Sequence, residues 1–325
     1  MKRSIIALGF IMIFGAGAWA AGKGITVCML PKKKGVPYFT SCAKGAEEAA
    51  KELGITLIYD GPTDGSPEKQ AAMIEQWTLK RVNVIAVSPN DPEVLAKAMR
   101  KARAAGIAVI TWDADGAKDA RDWFVNQATA KDIGYALVDT LAKDIGGKEK
   151  ADVAVITARL TAANQNAWIA AMKERLPAYP HLNLVTVKPS EEDQKLSFTV
   201  SKDLMKAYPN LKGIFAITSV AFPGAAEAVE QSGKKGVVQV TGLSTPNGMR
   251  EYVTRGTVKS VVLWNTVDLG YLTVYAAQMA ANGSLKPGTA SIKAGRLGEK
   301  KIDGDNVLLG GILVFTKDNI AKYNF

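Results

Sequence analysis

One histidine, His181, and two cysteines, Cys28 and Cys42, occur in 325 residues. His181 sits in a proline-flanked loop, Tyr179-Pro180-His181, so no His-Ser-Asp triad, histidine-based zinc site or Cys-His dyad is expected. Two cysteines are too few for a disulfide scaffold. The chain also lacks GxGxxG after a strand, a phosphate loop ending in Gly-Lys-Ser/Thr and a G-x-S-x-G elbow. No catalytic residue, cofactor or metal ligand is therefore expected. Beyond the first twenty residues no apolar run approaches the ~18 residues of a membrane span. What remains is an ordinary globular composition, 47% hydrophobic and 22% charged. Lysine and arginine exceed the acids by 41 to 31, a net charge of +10, but they are scattered along helix faces. That pattern is a solvated surface and not a nucleic-acid stripe.

The N-terminus reads as an export signal. Lys2-Arg3 is a positive start, Ile5 to Phe14 is an apolar run too short to span a bilayer, and Ala18-Trp19-Ala20 supplies the small residues that signal peptidase requires. Residues 1–20 are thus expected to be removed, leaving no membrane anchor and a soluble protein in the periplasm.

After the signal, strand and helix patterns alternate. Short apolar runs at 25–30, 55–59, 84–88 and 107–112 predict strands, with a helical stripe over 38–53 and helices opened by Ser66-Pro67 and Asp91-Pro92. The rhythm resumes after residue 130, with strands predicted at 153–157, 184–187, 213–217, 237–241 and 260–263 and helices at 162–175, 195–207, 221–232 and 246–254. Repeated β-α units imply parallel sheets covered by helices, and about ten strands fit two doubly wound lobes better than one small sheet.

Ligands of such sheets bind beyond the carboxyl ends of the strands. Those positions hold Lys32 with Tyr38 and Phe39, then Trp112 and Asp113, in the first half. In the second half they hold Asn164 and Gln165, Thr218 and Ser219, Ser244, and Trp264 with Asn265. Aromatic faces stack on apolar C–H faces while the polar groups supply fixed donors and acceptors, a mixture suited to a small polyhydroxylated ligand. Of the neighbouring carboxylates Asp113 and Asp115, only one is expected in the cleft, because alternate residues of an extended chain face opposite sides.

At these residues the chain resembles the type I periplasmic sugar-binding proteins of ABC importers, in the branch that holds rhamnose-binding and autoinducer-2-binding proteins. The segments that carry the likeness include Leu30-Pro31-Lys32, Asp60-Gly61-Pro62-Thr63, Thr111-Trp112-Asp113-Ala114-Asp115, Asn164-Gln165-Asn166-Ala167-Trp168, Thr241-Gly242-Leu243-Ser244-Thr245-Pro246 and Leu263-Trp264-Asn265. The resemblance implies a monomer of two parallel-sheet lobes joined by three crossovers, closing on one sugar and docking on ABC permease subunits. With crossovers placed near Gln127, Asn265 and Gly295, residues 21–127 and 266–295 form the first lobe, and 128–265 and 296–325 the second. Lys32, Asp113 and Gln165 match polar ligand contacts of the autoinducer-2 binders. Those binders, however, have aspartate at the position of Asn164, and proline and alanine at the positions of Ile217 and Ser219. The rhamnose binders look like this chain at Asn164-Gln165-Asn166, which favours a deoxyhexose or pentose-like sugar over autoinducer-2.

Three roles stay open on the sequence: a transport binding protein, a sensory binder presenting a signal to a receptor, and a secreted enzyme, the last weakened by the missing nucleophile motifs. Cys28 and Cys42 leave two alternatives, a short-loop disulfide or two buried thiols.

Overall fold

The computed structural model describes residues 24–325, so residues 1–20, expected as an export signal, lie outside the described residues. β1 (Thr26–Leu30) is buried on both faces: Val27 and Met29 enter one apolar cluster, Cys28 and Leu30 the other. α1 (Pro37–Leu53) starts with proline at N1 and stops at Gly54, whose φ of 63° is the left-handed C-cap geometry. β2 (Thr56–Tyr59), α2 (Pro67–Leu79), β3 (Val84–Val87), α3 (Pro92–Ala104) and β4 (Ala108–Trp112) complete the first series. The Ser66 hydroxyl accepts from Lys69 N–H, and Asp91 accepts from Glu93 and Val94 N–H, so both helices are capped as the sequence signals. β5 (Trp123–Asn126), a four-residue strand the periodicity does not mark, ends the series.

The chain then leaves for a second lobe. α4 (Ala130–Ile145), β6 (Ala151–Thr157), α5 (Ala163–Arg175), β7 (Leu182–Pro189), α6 (Gln194–Ala207), β8 (Leu211–Ala216), α7 (Ala221–Gln231), β9 (Gln239–Gly242), α8 (Pro246–Thr254) and β10 (Val261–Leu263) follow in order. α9 (Thr266–Ala281) returns to pack on α1 and the first sheet. β11 (Ser291–Lys293), β12 (Glu299–Asp303) and β13 (Asn306–Leu308) stay there, and β14 (Leu313–Phe315) pairs with β10 in the second lobe.

The first sheet runs β11-β12-β13-β5-β4-β3-β1-β2, parallel from β13 to β2 with antiparallel β11 and β12 at the edge. In the second lobe β7-β6-β8-β9 is parallel, and a single bridge, Leu243 to Val262, leads from β9 to the β10–β14 pair. The architecture is therefore α/β with two doubly wound lobes. The chain crosses between them after Asn126, at Trp264-Asn265 and between Leu308 and Leu313. A third crossover near Gly295 is thereby corrected. β12 and β13 form a hairpin on β5, with Asn306 to Leu308 in register with Phe124 to Asn126. Asp305, at the hairpin turn, pairs with Arg121 at 2.6 Å, and Arg121 also meets Asp115 at 2.7 Å with its side chain 1% exposed. This ion network, centred on the buried Arg121 guanidinium, binds residues 299–308 to the first lobe.

The disulfide alternative is also corrected: both cysteines are free and buried. Cys42 on α1 packs in the cluster of Val27 and Met29, whereas Cys28 points through the sheet to the opposite face. Strand alternation thus keeps the thiols apart. Burial pushes the Cys28 thiol up to about 12, which leaves it inert.

Asp144, in the last turn of α4, ties that helix to the approach of β10. It accepts from Ser260 Oγ at 2.9 Å, but its second carboxylate oxygen is buried without a partner. Desolvation raises its pKa from 3.8 to about 6. The folded chain binds this proton more tightly than the unfolded chain, so the contribution to stability falls as pH rises from about 4 to about 6. Asp144→Asn should relieve a cost on the order of 2 kcal/mol above that window. Urea unfolding of variant and parent between pH 4.5 and 7.5 should show a difference that grows in the variant's favour with pH and levels off above 6. A difference independent of pH would exclude the buried ionised carboxylate.

Candidate functional site

The carboxyl ends of both sheets face one another across the crossovers and enclose a cavity of about 430 Å³, its mouth included. On the first lobe β1 ends by delivering Lys32, and the first turn of α1 delivers Tyr38 and Phe39. Beyond β4 the backbone turns sharply at Asp113, which has φ 63°, and Ala114 N–H reaches back to the Trp112 carbonyl at 2.6 Å. Aspartate tolerates this left-handed geometry better than most residues, and here it places the carboxylate in the cavity wall. Asp115 faces the Arg121 pair instead. Only one aspartate enters the cavity, but a tight turn separates the two side chains, not an extended strand.

Asp113 organises the first-lobe wall. Its Oδ1 accepts from the Tyr38 hydroxyl at 2.7 Å, its Oδ2 from Ser88 Oγ at 2.9 Å, and its carbonyl from Gln127 Nε2 at 3.0 Å. Lys32 Nζ lies 3.8 Å from Oδ2. Tyr38 in turn accepts from Trp264 Nε1 at 3.0 Å, linking the end of β10 to the first lobe. Burial, with Asp113 adding to it, pushes the Tyr38 phenol well above its usual pKa, so it stays a neutral donor. The Tyr38 ring lies edge-on to Phe39 and Trp264, with centroids 5.0 and 6.0 Å away.

The second-lobe wall comes from the first turn of α5 and from the loops after β7 and β8. The Gln165 Oε1 accepts from the Thr157 hydroxyl and from Ala158 N–H at 2.7 Å, which fixes the amide and leaves Nε2 without a protein partner among the described residues. Asn164 Oδ1 accepts from Lys32 Nζ at 3.2 Å, a bond between the lobes. Thr218 and Ser219 close this wall beside Ile217 and Leu243.

Three residues expected at the ligand sit elsewhere. Trp112 is fully buried behind Phe39, its Nε1 donating to the Ala86 carbonyl at 3.3 Å. Ser244 donates to the Ser219 carbonyl and is absent from the wall, so it supports the wall from behind. Asn265 caps α9, its Oδ1 accepting from Asp268 N–H at 3.2 Å. The wall also holds Val36, Trp168, Glu192, Ile217, Leu243 and Leu263, none of them among the expected ligand residues, and of these Trp168 and Glu192 add aromatic and carboxylate groups. Trp168 lies one helical turn beyond Asn164 in the same segment, with its ring 6.1 Å from Trp264. Glu192 follows β7, whose end at Pro189 lies beyond the predicted 187, so the strand-end rule stopped short of it.

His181 is not part of the cavity wall and lies beside Tyr179. Among the described residues no three His, Cys, Asp or Glu side chains converge to hold a metal.

Residues 27–285 match a family model described as a periplasmic binding protein domain. An ABC transporter solute-binding protein from Clostridium phytofermentans, solved with bound L-rhamnose, superposes with a TM-score of 0.87 at 31% identity over 92% of this chain and 98% of that one. LsrB from Clostridium saccharobutylicum, in complex with AI-2, gives a TM-score of 0.87 at 27% identity over 93% of this chain and 100% of that one. The D-allose-binding periplasmic protein of Escherichia coli is 26% identical over 245 residues, 72% of this chain and 77% of its own.

Proposed function

Because the chain belongs to the family of periplasmic binding protein domains, whose members bind solutes and catalyse no reaction, we propose that it captures a small neutral sugar between its lobes in the periplasm and delivers it to the permease of an ABC importer. The observation that carries this reading is the cavity itself. Lys32 and Asp113 on one lobe face Asn164 and Gln165 on the other, with Tyr38, Phe39, Trp168 and Trp264 as apolar walls. A ligand contacting both sets couples the lobes, and fixed donors and acceptors above aromatic faces match the hydroxyl and C–H surfaces of a sugar.

Within that class we favour a deoxyhexose such as L-rhamnose, or a pentose. Asn164 supplies a carboxamide where autoinducer-2 binders carry a carboxylate, and Ile217 and Ser219 stand where they have proline and alanine. The relative solved with L-rhamnose supports this choice, and the one solved with AI-2 keeps autoinducer-2 as the second reading. A thermal-shift panel of L-rhamnose, D-ribose, D-arabinose, D-allose and autoinducer-2 tests it. One of the sugars should raise the melting temperature, since a ligand at a hundred times its Kd adds about 2.7 kcal/mol. A shift with autoinducer-2 alone would reverse the ligand assignment.

A further inference from the structure

Glu192 is the one ionisable side chain that the second lobe contributes to the cavity wall; Asn164, Gln165, Thr218 and Ser219 are neutral. It is held there by unusual means. Glu191 and Glu192 are consecutive non-glycine residues with φ of 51° and 53°, a conformation that costs about 1–2 kcal/mol per residue. Their surroundings hold them to it. Ser190 and Glu191 N–H donate to the carbonyls of Thr157 and Ala158, both at 2.8 Å, and Asp193 caps α6 by accepting from Leu196 N–H. Strain maintained in this way at a cavity wall points to use of the side chain it aims. The Thr218 hydroxyl donates to Glu192 Oε2 at 2.9 Å, while Oε1 has no protein partner among the described residues. From the opposite lobe Lys33 Nζ donates to the Glu192 carbonyl at 3.4 Å. Burial raises the carboxyl pKa, with Thr218, Lys32 and Lys33 opposing that rise.

We propose that Glu192 is a specificity-determining ligand residue, its free carboxylate oxygen accepting a hydroxyl of the bound sugar from the second-lobe side, where Asn164 offers no charge. This rests on the sugar-binding reading above and narrows it. Asp113 on one wall and Glu192 on the other outnumber Lys32, already engaged by Asp113 and Asn164, so the cavity selects neutral polyols over sugar acids, whose carboxylate would meet the excess of like charge.

The test is calorimetry of the parent, Glu192→Gln and Glu192→Asp with L-rhamnose, D-ribose, D-arabinose and D-allose, and with the aldonic acid of each. Replacing a charged acceptor by a neutral one should weaken the bound sugar about tenfold in Glu192→Gln and narrow its preference for sugar over aldonate. Glu192→Asp, one methylene shorter but still charged, should lose affinity and keep that preference. Parent-like sugar affinity and preference in Glu192→Gln would overturn the assignment while leaving sugar binding intact. A parent that binds none of the four sugars would instead remove the reading on which it rests.

Discussion

Asp113→Ala is expected to weaken sugar binding by roughly ten- to a hundredfold or more, because a hydrogen bond to a charged group contributes ~1.5–3 kcal/mol and the site around it is buried. Asp113 is 5% exposed and is the common acceptor for Tyr38 and Ser88, with Lys32 at 3.8 Å. Removing the carboxylate therefore frees two buried hydroxyls and an ammonium group as well as the ligand. Asp113→Asn separates these effects. It keeps an acceptor for one hydroxyl and tolerates the left-handed backbone, so it should fold like the parent yet bind more weakly, between parent and alanine. Calorimetry on both, with melting curves to establish folding, checks this. Parent affinity in a folded Asp113→Ala would remove the site.

Gly270→Ala should cost more stability than any surface change. α1 and α9 meet backbone to backbone: a Cβ on Gly270 would stand 1.8 Å from the Cys42 carbonyl oxygen, and one on Gly45 would stand 1.7 Å from that of Val267. Alanine improves intrinsic helix propensity by about 1 kcal/mol, but these helices must part by more than an ångström to admit it. Overpacking typically costs ~1–3 kcal/mol when side chains yield, and here the neighbour is backbone. A net loss of at least ~2 kcal/mol should lower Tm by roughly 3 °C or more. Because α9 begins two residues after Trp264, the shift should also disturb the Trp264–Tyr38–Asp113 chain and weaken ligand binding. An unchanged or raised Tm would show that the helices separate freely.

The first lobe up to Trp112 was legible because its signals are local. Apolar runs, Ser66-Pro67, Asp91-Pro92 and the stop at Gly54 each act within a few residues. β5 and the β12–β13 hairpin were not: only a short turn at Lys118–Ala120, not a helix, joins β4 to β5, β12 reads Glu-Lys-Lys-Ile-Asp with almost no apolar content, and the place of the hairpin depends on the long-range pairing of Arg121 with Asp305. The Asp303-Gly304 pair was the one turn signal available there. At the site, residues following a strand were found wherever the strand's end was read correctly. Glu192 escaped because β7 runs two residues past its apolar part. Trp112, Ser244 and Asn265 share the strand-end positions but turn away from the cavity, and position along the chain alone does not reveal which way a side chain points. The spacing of Asp113 and Asp115 led to one carboxylate in the cleft, though the turn at Asp113 that produces it left no mark in the pattern.

Sugar capture between the lobes is tested most directly by isothermal calorimetry of the unmodified protein against L-rhamnose, the three other panel sugars and autoinducer-2. One-site binding of a deoxyhexose or pentose, tighter than that of autoinducer-2, is the expected result. Tight autoinducer-2 binding, or no heat with any of the sugars, would contradict it.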